Sequence, residues 1–249
     1  KYVAGATSNA LTSPSYTKES SLYFTTQVNV NDDGNNIVND AANEPSIAID
    51  PTNPSRMVIG WRQFDNISSN FRQAGYAYTS DAGQTWTFPG VINPGIFRSD
   101  PVLDCDSEGT FYYNSLTVDD DGNYTCNVYR NDPGTFNWDN GVLAHGGDKQ
   151  WMVIDRTGGM GEGHIYSFWT SYYTSCDPGS FTRSVDGGDY YEDCEPVTGN
   201  PYWGTMDVGP DGELYIAGTG EWDGIGVARS INAQDPSNPV YFEQYTQVD

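Results

Sequence analysis

The chain has 249 residues, 34 of them acidic and 11 basic, which gives a formal net charge of −23. This charge excludes binding to nucleic acid or anionic membranes through a basic patch, because few cations are available to neutralise phosphates. With 28 glycines, 14 prolines and 14 % aromatic residues, the composition favours one large all-β domain rich in turns. The sequence lacks an apolar run of about 18 residues, so no membrane insertion is predicted.

The N-terminal part of the chain precedes the regular pattern. Residues 1–20 are rich in Ser, Thr and Asn and lack hydrophobic periodicity, so they are predicted to form an arm. Residues 21–30 alternate apolar and polar side chains, which predicts a β-strand followed by a turn. No later stretch has a helical stripe of apolar residues, and strands are therefore expected throughout.

The first clear repeat spans residues 43–90 in the order strand, turn, strand, loop, strand, turn, strand. Its last turn, at residues 79–86, has the spacing Ser/Thr-x-Asp-x-Gly-x-Thr-Trp. Asp81 is expected to fold its carboxylate onto backbone N–H groups, and Gly83 is expected to take a positive φ. Trp86 is expected to fill the core beside the next strand.

A similar turn recurs at residues 184–191, with Asp186 and Gly188 in the corresponding places and Tyr191 replacing the tryptophan. Further repeats are predicted near residues 99–140, 148–195 and 202–234, which indicates a β-propeller of four-stranded antiparallel blades over residues 21–249. Residues 21–42 and 237–249 could pair in a composite closing blade. Alternatively, the chain is part of a larger ring.

Residues 43–51, 56–62 and 79–86 together resemble the secreted Asp-box, or BNR-repeat, proteins of the sialidase-like superfamily. The resemblance implies a propeller, an extracellular or cell-surface location, and Asp boxes on the outer rim with a structural role. Proteins of this kind include sialidases, other glycosidases, sorting receptors and non-catalytic assembly proteins. The residues that would be structural in this way are Asp81, Gly83, Trp86, Asp186, Gly188 and Tyr191.

A ligand site is expected where the innermost strands of a propeller begin. Four corresponding positions would share one rim there: Glu44, Asp100, Lys149 and Trp203. Loops between second and third strands would add Arg62, Gln63, Asp65, Trp169 and Tyr172. Carboxylates, arginines and aromatic rings suit a glycan site, as acid and base, as clamps for a sugar carboxylate, and as stacking surfaces. The candidate catalytic residues are Glu44, Arg62, Arg98 and Asp100, and the candidate ligand-binding residues are Arg62, Asp65, Lys149, Trp169, Tyr172 and Trp203.

The resemblance does not supply a full sialidase set, which comprises an arginine triad, a Tyr–Glu pair and an acid/base Asp. The leading prediction is therefore a non-catalytic module that binds carbohydrate or acts at the cell surface or in assembly. A sialidase-like exo-glycoside hydrolase is the first alternative, and a structural subunit of an extracellular filament or lattice is the second. Expected partners are a glycan or another extracellular molecule, and self-assembly is a further expectation.

Four cysteines in an exported chain favour disulfides. Cys176 and Cys194 flank the second Asp-box turn and are predicted to pair, which leaves Cys105 and Cys126 to pair by elimination. No cofactor is expected, with the exception of a candidate calcium site in an oxygen-rich turn. Its ligands would be Asp119, Asp121 and Asn123.

Overall fold

The computed structural model describes residues 14–20, 22–220 and 224–248. These residues form β-strands, turns and loops and contain no helix, which confirms the all-β prediction. The strands begin with a hairpin of β1 (Thr17–Glu19) and β2 (Phe24–Thr26) and continue as four antiparallel sheets. Within the described ranges, no helix has the length and apolar character needed to cross a bilayer.

Each of the four sheets is built from strands that follow one another in the chain. The first sheet contains β3 (Ala41–Ile49), β4 (Met57–Phe64), β5 (Arg72–Thr79) and β6 (Thr87–Ile92). The second contains β7 (Ser99–Cys105), β8 (Phe111–Val118), β9 (Tyr124–Asn131) and β10 (Val142–Leu143). The third contains β11 (Asp148–Ile154), β12 (Ile165–Thr170) and β13 (Phe181–Ser184). The fourth contains β14 (Tyr202–Val208), β15 (Leu214–Thr219), β16 (Ile225–Ser230) and β17 (Gln244–Val248).

The third sheet has three strands in the described part of the chain, and an extended segment takes the place of the fourth. In that segment, the N–H of Glu192 donates to the carbonyl of Arg183 at 2.9 Å, and the N–H of Glu195 donates to that of Phe181 at 2.9 Å. The four sheets therefore fit the predicted four-stranded blades.

Apolar layers lie between successive sheets. On the second sheet, Leu103 and Tyr113 pack towards the first sheet, whereas Val102 and Tyr112 pack towards the third. Because both faces of this sheet are covered, the first six residues of β8 are all buried, including the polar Asn114 and Ser115. Gly60 on β4 permits the close packing, since a Cβ there would lie 2.4 Å from Cε2 of Tyr113.

The prediction of a composite closing blade is wrong. β2 pairs with β1, while β17 pairs with β16 and completes the fourth sheet. The reason is proximity along the chain, because each segment has an antiparallel neighbour within its own hairpin or sheet. Part of the predicted arm lies outside the described residues, and its remainder includes strand β1.

The two Asp-box-like turns follow the third strand of the first and third sheets. In the first, the Asp81 carboxylate accepts hydrogen bonds from the Thr85 N–H at 2.9 Å, the Thr85 hydroxyl at 2.6 Å and the Thr79 hydroxyl at 2.7 Å. Hydrogen bonds from Thr85 and Thr79 lower the pKa of Asp81 to about 2. Gly83 has a φ of +82°, as expected.

The tryptophan of the first turn does not join the core, contrary to expectation. Trp86 is half-buried, and its indole N–H donates to the carbonyl of Gly83 at 3.1 Å, so the ring packs on its own turn. In the second turn, Asp186 accepts from the Ser184 hydroxyl at 2.8 Å, and Gly188 has a φ of +91°. Tyr191 is buried in the layer between the second and third sheets.

The cysteines form one of the two predicted disulfides. Cys176 and Cys194 are bonded, which confirms that pair. Cys105 and Cys126 are free and buried, so the pairing by elimination is wrong. Cys105 lies opposite Phe111 on one side of β8, and Cys126 lies opposite Leu116 on the other side. Five residues of strand separate these positions by roughly 16 Å, beyond the reach of a disulfide.

Candidate functional site

The first strand of each of the four sheets that follow the β1–β2 hairpin carries the same backbone irregularity. The pairing between first and second strands shifts register once in each sheet, as a β-bulge does. One residue inside each shift has a left-handed backbone conformation: Glu44 at φ 53°, Asp100 at φ 46°, Lys149 at φ 55° and Trp203 at φ 52°. These are the four positions that the sequence repeat predicts to be equivalent.

The left-handed conformation is unfavourable for these residues. A residue with a side chain is destabilised there by about 1–2 kcal/mol, so glycine would be the less strained choice. Strain of this kind persists where the surrounding structure imposes it, and it occurs frequently at functional sites. Its presence at four corresponding places makes the bulges candidates for a functional role.

The four bulges meet at one cavity of about 370 Å³. Its walls include all four bulge residues, together with Gln150 and Trp151 of the third sheet. The Gln150 side-chain amide donates to the backbone carbonyl of Asp100 and so links the second and third sheets at the cavity wall. The structure therefore brings together the rim that the repeat predicts.

Charged side chains of opposite sign line one part of this cavity. Nη2 of Arg62 lies 2.7 Å from Oε1 of Glu44, and Nη1 lies 4.0 Å from Oδ1 of Asp100. Nζ of Lys149 lies 3.9 Å from the same Glu44 oxygen. Asp100 also accepts a hydrogen bond from the Ser99 hydroxyl at 2.6 Å. The Arg62 guanidinium, which is not itself a wall residue, thus pairs with Glu44 of its own sheet and lies within ion-pair distance of Asp100 of the next sheet.

Asp148 is a third carboxyl group beside this rim, although not a wall residue, and the sequence reasoning missed it. It is half-buried and directly precedes Lys149. Burial raises the pKa of Asp148, and the nearby negative charge of Asp100 raises it further, while Lys149 opposes the shift. A carboxyl group whose pKa is raised in this way is suited to proton donation. The available signal was its position beside an already singled-out bulge residue.

Aromatic side chains also line the cavity. Trp151 and Trp203 are both wall residues and have 41 % and 54 % of their surface exposed. Tyr172 stacks on Tyr202, with ring centroids 5.2 Å apart and an interplanar angle of 15°. The centroids of its ring and the Trp203 ring are 6.5 Å apart. Tyr172 therefore lies close to the cavity, as the sequence suggested.

Three sequence candidates lie elsewhere. Arg98 is buried in the second sheet, where Nη1 donates to Oδ1 of Asn127 at 2.8 Å and the guanidinium lies over the Tyr129 ring. Trp169 is fully buried. Asp65 is on an exposed loop and accepts from the Gln73 side chain at 3.2 Å. Neither Arg98 nor Trp169 lines the cavity.

Gln63 is buried next to the loop and accepts a hydrogen bond from the Trp61 indole at 2.7 Å.

In the candidate calcium turn, the Asp119 carboxylate accepts hydrogen bonds from within the turn. Oδ1 of Asp119 accepts from the N–H groups of Asp121 at 3.0 Å and Asn123 at 2.8 Å. Among the described residues, the one group of three His, Cys, Asp or Glu side chains spaced for a metal ion is His145, Cys176 and Cys194. Its two cysteines form the disulfide.

No protein-family model and no curated protein matches this sequence. Solved structures do share its fold. A protein of unknown function from Dyadobacter fermentans matches with a TM-score of 0.58 and 15 % identity, over 84 % of this chain and 69 % of that one. A Hadza microbial sialidase matches with a TM-score of 0.56 and 10 % identity, over 85 % of this chain and 46 % of that one.

A leech intramolecular trans-sialidase, complexed with 2,7-anhydro-Neu5Ac, matches with a TM-score of 0.56 and 10 % identity. The match covers 84 % of this chain and 51 % of that one, so the present chain spans about half the length of both sialidases. At sequence identities this low, the structural matches show a shared fold and no more. Glycoside hydrolases are thus among the structures that have the architecture of this chain.

Proposed function

We propose that this chain is a sialidase-like glycoside hydrolase with a propeller architecture, and that its active site is the cavity at the four bulges. The observation that carries the proposal is the convergence of two carboxylates, Glu44 and Asp100, on the guanidinium of Arg62. Glycosidases of most families act through a pair of carboxyl groups that flank the scissile bond.

Two of the three carboxyl groups are proposed as acid and as base or nucleophile, while Glu44 holds the cations Arg62 and Lys149 at the site. Asp148 is the proposed proton donor to the glycosidic oxygen, because it directly precedes the wall residue Lys149 and burial raises its pKa. Asp100 is the proposed base or nucleophile, since Ser99 and Arg62 hold its carboxylate at the wall. Arg62 and Lys149 carry the positive charge that a sugar carboxylate or a developing negative charge would require.

The outer turns and the disulfide support the architecture and location that belong to this proposal. The turns at residues 79–86 and 184–191 would be Asp boxes with a structural role, because their Asp81 and Asp186 carboxylates are used within the turns. The Cys176–Cys194 bond suits an extracellular environment, in which disulfides persist. A glycan is the proposed partner.

The experiment is hydrolysis of a panel of fluorogenic glycosides, sialosides included, by the chain and by its Asp100→Asn variant. We expect turnover that falls by about 10²- to 10⁴-fold in the variant, as loss of an acid–base group does. Glu108→Gln is the matched control, because Glu108 is an exposed carboxylate of the same sheet outside the cavity wall. Equal turnover in all three proteins would rule out this active site.

A non-catalytic carbohydrate-binding module is the second candidate. It is favoured by the ion pairs of Glu44, whose carboxylate contacts both Arg62 and Lys149. It is also favoured by the buried position of Arg98, because a buried arginine cannot help to clamp a sugar carboxylate in the cavity. A chain that retains glycans without turning over any member of the panel would support this candidate against hydrolysis.

A further inference from the structure

Three exposed or half-buried rings form a continuous surface beside the cavity. This aromatic shelf consists of Tyr172, Tyr202 and Trp203, which come from the loop after β12 and from the start of β14. Tyr172 is 52 % exposed and Trp203 is 54 % exposed. Large aromatic side chains are rarely left in water in a group, so a contiguous set of them indicates a binding surface.

The shelf is held in place by the backbone beneath it. The N–H of Trp203 donates to Oγ1 of Thr170 at 3.0 Å. Gly204 packs so closely that a Cβ there would lie 2.4 Å from the carbonyl oxygen of Ala217. The Asn200 amide donates to the Tyr202 hydroxyl at 3.1 Å and to the Ser171 hydroxyl at 3.2 Å. A rigid aromatic surface loses little conformational entropy when a ligand binds to it.

The shelf is continuous with the cavity and differs from it in chemistry. Trp203 belongs to both, because it lines the cavity and contacts Tyr172. The shelf itself contains no charged side chain, whereas Glu44, Asp100 and Lys149 line the cavity. An anionic group would find no cation on the shelf, and the chain as a whole has a net charge of −23. The ligand suited to the shelf is uncharged and flat, with polar groups at its edge.

We propose that the aromatic shelf is a second subsite, which takes an uncharged sugar ring of an oligosaccharide whose neighbouring unit occupies the cavity. A pyranose ring presents an apolar C–H face for stacking, and its hydroxyls can reach the polar edge formed by Asn200 and Tyr202. This inference rests on the proposed function in its choice of a glycan. It narrows the substrate class to oligosaccharides of two or more units, in which the second unit is neutral.

The test is equilibrium binding measured by titration calorimetry with two pairs of probes. Each pair compares a single sugar with the same sugar extended by uncharged rings: N-acetylneuraminic acid with 3′-sialyllactose, and galactose with lactose. The Asp100→Asn background keeps the probes intact. In at least one pair, we expect the longer probe to bind about 10-fold more tightly, and Tyr172→Ala to remove most of that difference.

Two further variants control for folding and for nonspecific effects. Tyr172→Phe retains the ring and is expected to keep the preference for the longer probe. Tyr190→Ala removes another exposed tyrosine, which is 60 % exposed on the turn at residues 184–191, and is expected to change nothing. The shelf proposal is overturned if neither longer probe binds better, if Tyr172→Ala weakens both members of a pair equally, or if Tyr172→Phe behaves like Tyr172→Ala.

The two proposals can fail separately. Turnover that depends on Asp100 without any effect of Tyr172→Ala on the longer probes would leave the hydrolase standing and remove the shelf. A preference for longer probes that Tyr172→Ala abolishes, in a chain without turnover of any glycoside, would leave the shelf standing and remove hydrolysis.

Discussion

The parts of the cavity wall have the same bulged backbone conformation and differ in the chemistry of their side chains. The first and second sheets present the carboxylates of Glu44 and Asp100 beside Arg62, the third sheet presents Lys149 next to the indole of Trp151, and the fourth presents the indole of Trp203. The same bulge with a positive φ occurs in each of these four sheets. A repeated architecture therefore supplies equivalent places, and the side chain at each place decides whether that wall acts by charge or by stacking.

This difference also separates two kinds of interaction energy. Ion pairs among partly exposed groups contribute little to stability, because water screens them and the side chains lose conformational freedom. The aromatic side rests on close backbone packing at Gly204, where added volume disturbs the fold itself. We expect changes on the charged side to affect activity more than stability, and changes beneath the aromatic side to affect both.

Among the changes that test this comparison, the largest effect is expected from Arg62→Gln. Without the guanidinium, Glu44 and Asp100 lose their shared cation and move away from their present geometry, so the hydrolase proposal predicts a fall in kcat/KM of about 100-fold. The free energy of unfolding should change by less than about 1 kcal/mol. Steady-state kinetics and urea unfolding measure the two quantities.

Arg229→Gln is the matched control for that experiment. Arg229 pairs with Glu243 at 3.0 Å on the fourth sheet, outside the cavity wall. Its loss should leave kcat/KM unchanged. A similar fall in both variants would mean that the charged side has no special role.

An intermediate effect is expected from Gly204→Ala. The new Cβ would lie 2.4 Å from the Ala217 carbonyl oxygen, so the strands must separate, and we expect a loss of about 1–3 kcal/mol in the free energy of unfolding. Because Trp203 adjoins this residue, binding of longer glycans should weaken as well. Urea unfolding and calorimetry provide the measurements.

Gly159→Ala is a suitable comparison, since a Cβ there would meet Oγ1 of Thr157 at 3.2 Å in an exposed turn. We expect a change within about 0.5 kcal/mol, as is usual for surface substitutions. Equal losses in the two alanine variants would contradict the view that Gly204 is required for close strand packing.

The smallest effect is expected from Asp148→Asn and concerns pH. Burial raises the pKa of Asp148 in the folded chain, so ionising it opposes folding. Below the ordinary Asp value of 3.8 the wild type and the variant should be equally stable, and the variant should become the more stable as pH rises through the raised pKa. Urea unfolding between acidic and neutral pH measures the difference.

Asp81→Asn should show the opposite sign. The pKa of Asp81 is lowered to about 2 by hydrogen bonds from Thr85 and Thr79, so the wild type gains stability from this group above 3.8. That gain should disappear as the pH falls from 3.8 towards 2. If the free energy of unfolding of both variants, relative to the wild type, changed with pH in the same direction, the carboxyl group of Asp148 would not be in a desolvating environment.

The sequence by itself determined the repeating β-structure and the equivalence of Glu44, Asp100, Lys149 and Trp203. It could do so because strand alternation and turn residues are local patterns, and because a repeat marks corresponding positions without any knowledge of contacts. The pairing of Cys176 with Cys194 was accessible in the same way, since both residues flank one short turn.

Only the tertiary structure decided which neighbouring side chains reach the cavity. Arg98 lies two positions before Asp100, yet it points into the second sheet because the bulge between Ser99 and Val102 resets the alternation of side chains. Trp169 lies on a strand that is buried on both faces, whereas Tyr172 lies beyond its end. The pKa of Asp148 is raised first by burial and then by the charge of Asp100 in another sheet. These outcomes depend on distances between segments far apart in the chain, which local patterns do not contain.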